Sequence, residues 1–376
     1  MFEFVARRSP VYAWLVVCTL LLNACGGETK APSGAVSADQ KFKWKMVTAW
    51  PPNLPVNHDV ITEFAAAVDA MSRGQLTIQV YAGGELIPAL EVFDAVSNGT
   101  TVQMGHGAAY YWAGKVPAAQ FMSAVPFGLT ASGMSAWMYG GDGLKLWRDV
   151  YAPFDIVPFP MGNTGTQMGG WFNKRIDSPD DLQGLKMRIP GLGGKTLAEA
   201  GGNPILLSGG EVYTALERGN IDATEWVGPL HDVRFGLDRA AKYYYYPGWH
   251  EPSTQLELIV NKTAWESLPQ HLQTIIDTAA TAAGVALHAR MEVENAKAYA
   301  KLRESGHVEL VQFPQDVLAT LHASAKRALD AEAGKDEDFR AVRENFETFR
   351  DLLESWDQVS EGAYRQYFER VKEERK

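Results

Sequence analysis

From residue 42 the chain switches repeatedly between two hydrophobic periods. Phe42-Lys43-Trp44-Lys45-Met46-Val47-Thr48-Ala49-Trp50 is an alternating run that predicts a strand, and Pro51-Pro52-Asn53-Leu54-Pro55 breaks it. Asn57–Met71 takes helical spacing, with Val60, Phe64, Ala67, Val68 and Met71 on one stripe, and stops at Arg73-Gly74. Leu76–Tyr81 predicts a second strand and Ala89–Ser97 a second helix, closed by Asn98-Gly99. A third apolar stretch, Thr101–Ala109, leads into Tyr110-Tyr111-Trp112. Strands alternating with helices predict an α/β fold on a parallel sheet, whose ligands bind at the carboxyl ends of the strands.

The run Met161–Gly191 carries the first candidate chemistry. Gln167 is a lone amide in a turn rich in Gly and Thr, and Arg188 ends a short apolar run closed by Ile189-Pro190-Gly191. Between them, Ser178-Pro179-Asp180-Asp181 reads as a helix start with Ser at the N-cap and Pro at the first helical position. Strand, short helix and strand would thus deliver an amide and a guanidinium from strand ends. A guanidinium there suits a bidentate grip on a carboxylate; an arginine in a surface ion pair would leave the same local sequence.

Ala95–Val102 is echoed by Ala215–Asp222, each reading as a helix that ends at a Gly and feeds a strand. Beyond Val260 the chain becomes helical: Thr263–Arg303, Gln315–Lys335 and Asp338–Lys376 are rich in Ala, Leu and Glu with few breakers. Two further clusters stand out. In Gly219-Asn220-Ile221-Asp222-Ala223-Thr224-Glu225-Trp226, an acid and an indole follow a strand directly. Tyr243–Tyr246 runs through Pro247-Gly248-Trp249-His250-Glu251 to Gln255, dense aromatics beside an acid and an amide. Such a mixture suits a cavity with apolar walls and a few polar anchors, and equally a strand edge flanked by tyrosines.

The amino terminus changes the picture of where the protein works. Arg7 and Arg8 precede the apolar run Ala13–Leu22, too short to span a bilayer, and Leu22-Asn23-Ala24-Cys25 follows. Residues 1–24 read as a secretory signal, with Cys25 resembling the lipid-modified cysteine of a bacterial lipobox. Residues 25–40 read as a lipid anchor with a flexible tether, but Asn23 is not the commonest residue of a lipobox, so ordinary cleavage to a soluble protein is the alternative. Removing 24 of 376 residues leaves 352, more than one core ordinarily supports, so two lobes are expected. The net charge of −10 becomes −11 once Glu3, Arg7 and Arg8 are gone, which argues against nucleic acid as a partner. Cys18 leaves with the signal and Cys25 cannot form an intramolecular disulfide alone, so the fold rests on its core.

Together, Gly165-x-Gln167-Met168-Gly169-Gly170-Trp171-Phe172, Leu182-x-Gly184-Leu185-Lys186-Met187-Arg188-Ile189-Pro190-Gly191, Gly219-x-Ile221-Asp222-Ala223-x-Glu225-Trp226 and Tyr246-x-Gly248-Trp249-His250-Glu251-Pro252 resemble one family. It is the extracytoplasmic solute receptors of tripartite ATP-independent periplasmic (TRAP) transporters, in the branch that binds 2-oxoacids such as pyruvate, or lactate. The likeness extends from about Lys43 to Asp351.

The resemblance implies a two-lobed binding-protein fold with crossing hinge strands and a long bracing helix. Lobe 1 would span 41–163 with part of 253–300, lobe 2 164–252, and the bracing helices 263–376. Arg188 would clamp the ligand carboxylate, with the hydroxyl of Tyr111, or of Tyr110 in its place, beside it. A metal ion would bridge protein and ligand, held by the Gln167 amide oxygen, the Glu225 carboxylate, the Trp226 carbonyl and a fourth group, Glu251 or Gln255. Oxygen donors suit a hard cation, sodium or alternatively calcium. Two glutamates and the ligand carboxylate would balance Arg188 plus calcium, whereas Gln255 in the fourth place would balance sodium. Trp50, Tyr111, Trp171, Trp226 and Trp249 would crowd the cleft and favour a short ligand over a sugar acid. The partners implied are the membrane subunits of a TRAP transporter, with the receptor a periplasmic monomer or homodimer.

No catalytic signature accompanies these residues: the histidines are scattered, and Gly191-x-Gly193-Gly194-Lys195-Thr196 lacks the first half of a phosphate loop. The expectation is a receptor and not an enzyme. The competing readings are a periplasmic metal-dependent lyase or hydrolase with Glu225 as base, a relative specific for another carboxylate, and a scaffold protein.

Overall fold

The structure, a computed structural model, describes residues 40–373; the expected signal, Cys25 and nearly all of the tether lie outside these residues. In chain order the strands are Phe42–Thr48 (β1), Leu76–Tyr81 (β2), Met104–Gly107 (β3), Ile156–Asn163 (β4), Gly170–Phe172 (β5), Lys186–Arg188 (β6), Asn203–Ile205 (β7), Ala223–Thr224 (β8), Tyr243–Tyr246 (β9), Gln255–Asn261 (β10) and Glu309–Gln312 (β11). They form a five-stranded sheet ordered β2-β1-β3-β10-β4 and a six-stranded sheet ordered β11-β9-β5-β8-β6-β7.

The early elements follow the hydrophobic pattern: β2 and the helix Asn57–Met71 occupy the expected residues. The sheets, however, are mixed, not parallel throughout. β1 pairs in parallel with β2 and β3, whereas β10 runs antiparallel to β3 and β4. The reason is connectivity. β4 leaves the first sheet towards the second, and β10 is the returning segment, so it enters from the opposite end. In the second sheet β5 is likewise antiparallel to both β8 and β9.

Each sheet has its own core. Val47, Phe93, Phe121, Trp137, Trp147 and Ile259 are buried about the first, and Phe172, Leu185, Met187, Ile189, Tyr245 and Phe313 about the second. Each such side chain contributes roughly 1.5–3 kcal/mol when fully buried. The helical segment departs from expectation at its breakers. Pro269 separates Lys262–Ser267 from the 36-residue helix Gln270–Ser305, the turn at Gln358 divides the last helix, and β11 lies within the segment read as helical. The long helix packs on β4, where a Cβ on Gly284 would lie 3.1 Å from the Gly162 nitrogen, so the two backbones meet at a pair of glycines. Among the described residues, no helix is long and apolar enough to cross a membrane.

Strand direction decides where side chains converge. β1, β3 and β4 run the same way, and so do β6, β8 and β9. The segments that follow these strands, with the turn before β5, therefore gather Trp50, Tyr110, Tyr111, Gln167, Arg188, Glu225, Trp226 and Glu251 between the sheets. Ligands of open α/β sheets bind at such carboxyl ends.

A candidate ligand and metal site

Arg188 and Glu225 form the floor of this site, each side chain 1% exposed. Arg188 is the last residue of β6, and Glu225 follows β8, the parallel neighbour of β6. Arg188 Nη1 donates to Glu225 Oε1 and, at 3.2 Å, to the Glu225 carbonyl, while Nε donates to the Leu207 carbonyl at 3.2 Å. The guanidinium carbon sits 4.8 Å from the Trp226 ring centroid, a cation–π contact. Burial opposes the guanidinium's charge, but Glu225, and after it Tyr111 and Tyr110, hold its pKa above the ordinary value.

Glu251 sits at the other wall. It follows β9 through Pro247-Gly248-Trp249-His250, with the Gly248 carbonyl accepting from the Glu251 N–H at 3.2 Å. Its Oε2 accepts from Gln167 Nε2 at 2.7 Å and from the Thr254 hydroxyl. Gln167 Nε2 also reaches the Thr254 hydroxyl at 2.9 Å, and the Gln167 backbone N–H donates to the Glu251 carbonyl at 3.2 Å. Burial, and then the Glu225 carboxylate nearby, push the Glu251 carboxyl well above the usual range. The phenols of Tyr110 and Tyr111 are raised in the same way by burial; for Tyr111 the Arg188 charge pulls back.

Within this enclosed cluster several polar atoms have no hydrogen-bond partner among the described residues: Gln167 Oε1, Glu225 Oε2, Arg188 Nη2, and both ring nitrogens of His250. Buried polar groups are nearly always paired, so orphans gathered in one place mark a binding locus. Two of them are oxygen acceptors that fit a hard cation, and one is a guanidinium N–H that fits an anion. The adjoining cavity is small, about 10 Å³, and is lined by Trp50, Tyr110, Tyr111, Gln167, Trp226 and His231 among others.

A second layer holds the Glu225-Trp226 turn. Asp232 is buried and accepts from Trp171 Nε1 at 3.0 Å, the Tyr244 hydroxyl at 2.6 Å and the Val227 N–H at 3.3 Å. Burial pushes its carboxyl up to about 7. Trp171 and Tyr244 stack at 4.0 Å and 15° beneath it.

The structure thus brings Arg188, Gln167, Glu225, Trp226, Glu251, Tyr110 and Tyr111 together. Gln255 is elsewhere: its Nε2 donates to the Gly162 carbonyl at 2.6 Å and the Leu256 carbonyl at 2.9 Å. Trp171 supports from behind, and Trp249 packs on Phe127 at 6.1 Å, so neither lines the cavity as expected. Lys195 of the phosphate-loop fragment pairs with Glu332 at 2.7 Å. His250, Thr254 and Asp232 were not anticipated. Their roles depend on approaches between turns distant in sequence, and no local spacing encodes those.

Comparison with known proteins identifies the family. The family model described as bacterial extracellular solute-binding protein, family 7, matches residues 46–335. A monocarboxylate 2-oxoacid-binding periplasmic protein of Nostoc sp. strain PCC 7120 is 41% identical over 356 residues, covering 94% of this chain and 96% of its own. A TRAP periplasmic solute-binding protein from Colwellia psychrerythraea, solved with calcium and pyruvate, superposes with a TM-score of 0.85 at 41% identity, covering 87% of this chain and all of that one. A counterpart from Pseudoalteromonas atlantica, solved with sodium and pyruvate, gives 0.84 at 40% identity, covering 87% and 99%.

Proposed function

We propose, for a chain that belongs to family 7 of the bacterial extracellular solute-binding proteins, that it is the periplasmic receptor of a TRAP transporter. Its cargo is a small 2-oxo monocarboxylate, pyruvate foremost, with the 2-hydroxyacid lactate as the related alternative. The observation that carries this reading is the convergence of the unpartnered Arg188 Nη2 with the unpartnered oxygens of Gln167 and Glu225 in one buried cluster.

Each residue then has a role. Arg188 takes the cargo carboxylate with the donor it leaves free, and Tyr111 offers its hydroxyl beside it. Trp50, Tyr110 and Trp226 set the size of the space and exclude a sugar acid. Gln167 Oε1, the Glu225 carboxylate, the Trp226 carbonyl and Glu251 would hold the metal ion, which when bound supplies a positive centre shared by protein and cargo. With Glu251 and not Gln255 in the fourth place, charge balance favours calcium, since sodium would leave one negative charge buried. Both ions accompany pyruvate in the similar solved structures.

The protein binds and releases without catalysis. Glu225, held by Arg188, is poorly placed to act as a base, which counts against the lyase or hydrolase reading. The halves 41–163 and 164–252 would act as lobes closing over the cargo, with β4 and β10 as the crossing strands and the long helix as brace. The closed form then goes to the membrane subunits. Export would be directed by residues 1–24, with Cys25 as the point of lipid attachment.

A thermal unfolding series tests the reading. Pyruvate with calcium at a hundredfold excess over Kd should stabilise the protein by about 2.7 kcal/mol, chelator should remove the shift, and glucuronate should give none. Consumption of pyruvate during the assay, or a shift indifferent to chelator, would refute it.

A further inference from the structure

His250 belongs to no oxygen set, yet it is among the most enclosed polar side chains of the site. Its residue is 1% exposed, and neither Nδ1 nor Nε2 has a hydrogen-bond partner among the described residues. A neutral imidazole carries one N–H and one lone pair, so leaving both unmatched away from water is unfavourable. The ring is held in place from two sides. Trp249 lies edge-on at 5.3 Å and 71°, and Gly193 packs so closely that a Cβ there would come within 3.0 Å of the His250 Cβ. Held this way, Nε2 stands 3.5 Å from Glu225 Oε2, the carboxylate oxygen that also has no partner.

One donor atom each from Glu225, His250 and Glu251 lies within 4.8 Å of the others. Donors of one tetrahedral zinc ion, with bonds of about 2.0–2.2 Å, are separated by roughly 3.3–3.6 Å. His250 Nε2 and Glu225 Oε2, at 3.5 Å, already have that spacing, and the three groups need an inward adjustment of roughly 1 Å to share a metal. An all-oxygen set selects hard cations, whereas an imidazole adds affinity for borderline metals such as zinc, cobalt and nickel.

We propose that His250 is a metal ligand, and that Glu225, His250 and Glu251 make this site a binder of nitrogen-preferring divalent cations, zinc foremost. Zinc competes there with the hard cation for the two carboxylates. It balances their charge as calcium does, leaving Arg188 free for an anion. The proposal rests on the reading of Glu225 and Glu251 as the metal-holding carboxylates. It adds a donor that the oxygen set does not contain and a second class of metal.

The test uses the mature chain stripped with chelator, titrated separately with zinc and calcium by calorimetry, and compared with His250→Gln. The expected result is that the ratio of zinc to calcium affinity falls by at least about tenfold in the variant. An unchanged ratio overturns the proposal. A second measurement needs no variant: cobalt-loaded wild-type protein should show a paramagnetically shifted, solvent-exchangeable proton resonance from a coordinated imidazole N–H. Its absence also overturns the proposal. Failure of this inference and failure of the receptor reading are separable. If calcium and pyruvate stabilise the protein but zinc binding is indifferent to His250, only the present inference falls. If zinc binding depends on His250 while pyruvate gives no response, the cargo assignment falls and the metal site stands.

Discussion

Arg188 and Glu225 are each other's counter-ion at the floor of the cleft, and Arg188 holds Glu225 twice, through its carboxylate and through its backbone carbonyl. The carbonyl contact fixes the strand end, so the carboxylate can change partners while the main chain stays in place. Both groups proposed to hold cargo and cation thus neutralise one another, which meets the requirement that a buried charge be paired.

Replacing Arg188 by Lys keeps the charge but loses the planar fork. One ammonium cannot serve the Leu207 carbonyl, the Glu225 carbonyl and an incoming carboxylate together. Pyruvate affinity is expected to fall by about a hundredfold or more, in line with the 2–5 kcal/mol attached to buried charge pairs, measured by calorimetry in calcium.

Glu225→Gln removes the carboxylate that faces both Arg188 and the metal-holding oxygens. Metal binding and pyruvate binding should be lost together, and the thermal shift with calcium plus pyruvate should vanish. Normal pyruvate binding by this variant in chelator would show that no metal bridges protein and cargo.

Gly191 opens the helix after Arg188-Ile189-Pro190 with a φ of +56°, and a Cβ there would approach the Tyr110 Cβ to 2.9 Å. Gly191→Ala therefore combines left-handed strain, about 1 kcal/mol, with displacement of Tyr110 from the cavity wall. Lower thermal stability accompanied by weaker pyruvate binding is expected. A variant that bound pyruvate as tightly as the wild type would show that Tyr110 does not bound the cargo.

His106 is fully buried, accepts from Trp50 Nε1 at 2.8 Å and contacts the Met161 carbonyl through Nε2 at 2.9 Å. Burial lowers its pKa from 6.5 to about 4. The unfolded chain therefore takes up a proton below pH 6.5 that the folded chain refuses until about pH 4, so stability from this group is intact above pH 6.5 and is lost as pH falls through that window. The loss is on the order of 3 kcal/mol. Glu257, raised to about 7 by burial, works in the opposite sense, since its contribution is lost as pH rises from 4.5 to 7. The comparison must therefore be made between variants. In denaturant titrations at several pH values, His106→Gln, which can keep both hydrogen bonds, should lose less stability than the wild type between pH 6.5 and 4.

The legible parts of the chain were those whose signal is local. β2 and the helix Asn57–Met71 are written in hydrophobic period, and the Ser178-Pro179 start appears as a capping box in which Asp181 accepts from the Ser178 N–H at 2.9 Å. Arg188, Gln167, Glu225 and Glu251 could be singled out because each ends a strand or sits in a glycine-marked turn. The antiparallel course of β10 was hidden, because strand direction follows from which sheet the chain has just left. Glu251 and Gln255, four residues apart, could not be told apart from local sequence; in the fold the Glu251 side chain turns to Gln167 and the Gln255 side chain to the Gly162 carbonyl. His250 carries no periodic or spacing signal, and only the approach of two separate turns gives it Glu225 as a neighbour.

The gathering of strand ends at one edge has a consequence for how such a receptor diversifies. Each group proposed to meet the cargo ends a strand or sits in the segment beside a strand end, while the strands behind are fixed by pairing and by two separate cores. A descendant can exchange an aromatic wall or a metal donor by altering a single turn, leaving the sheets and the hinge strands as they are. The repertoire of solutes is thus set in segments that the fold can spare, and new cargo preferences can arise without refounding the architecture.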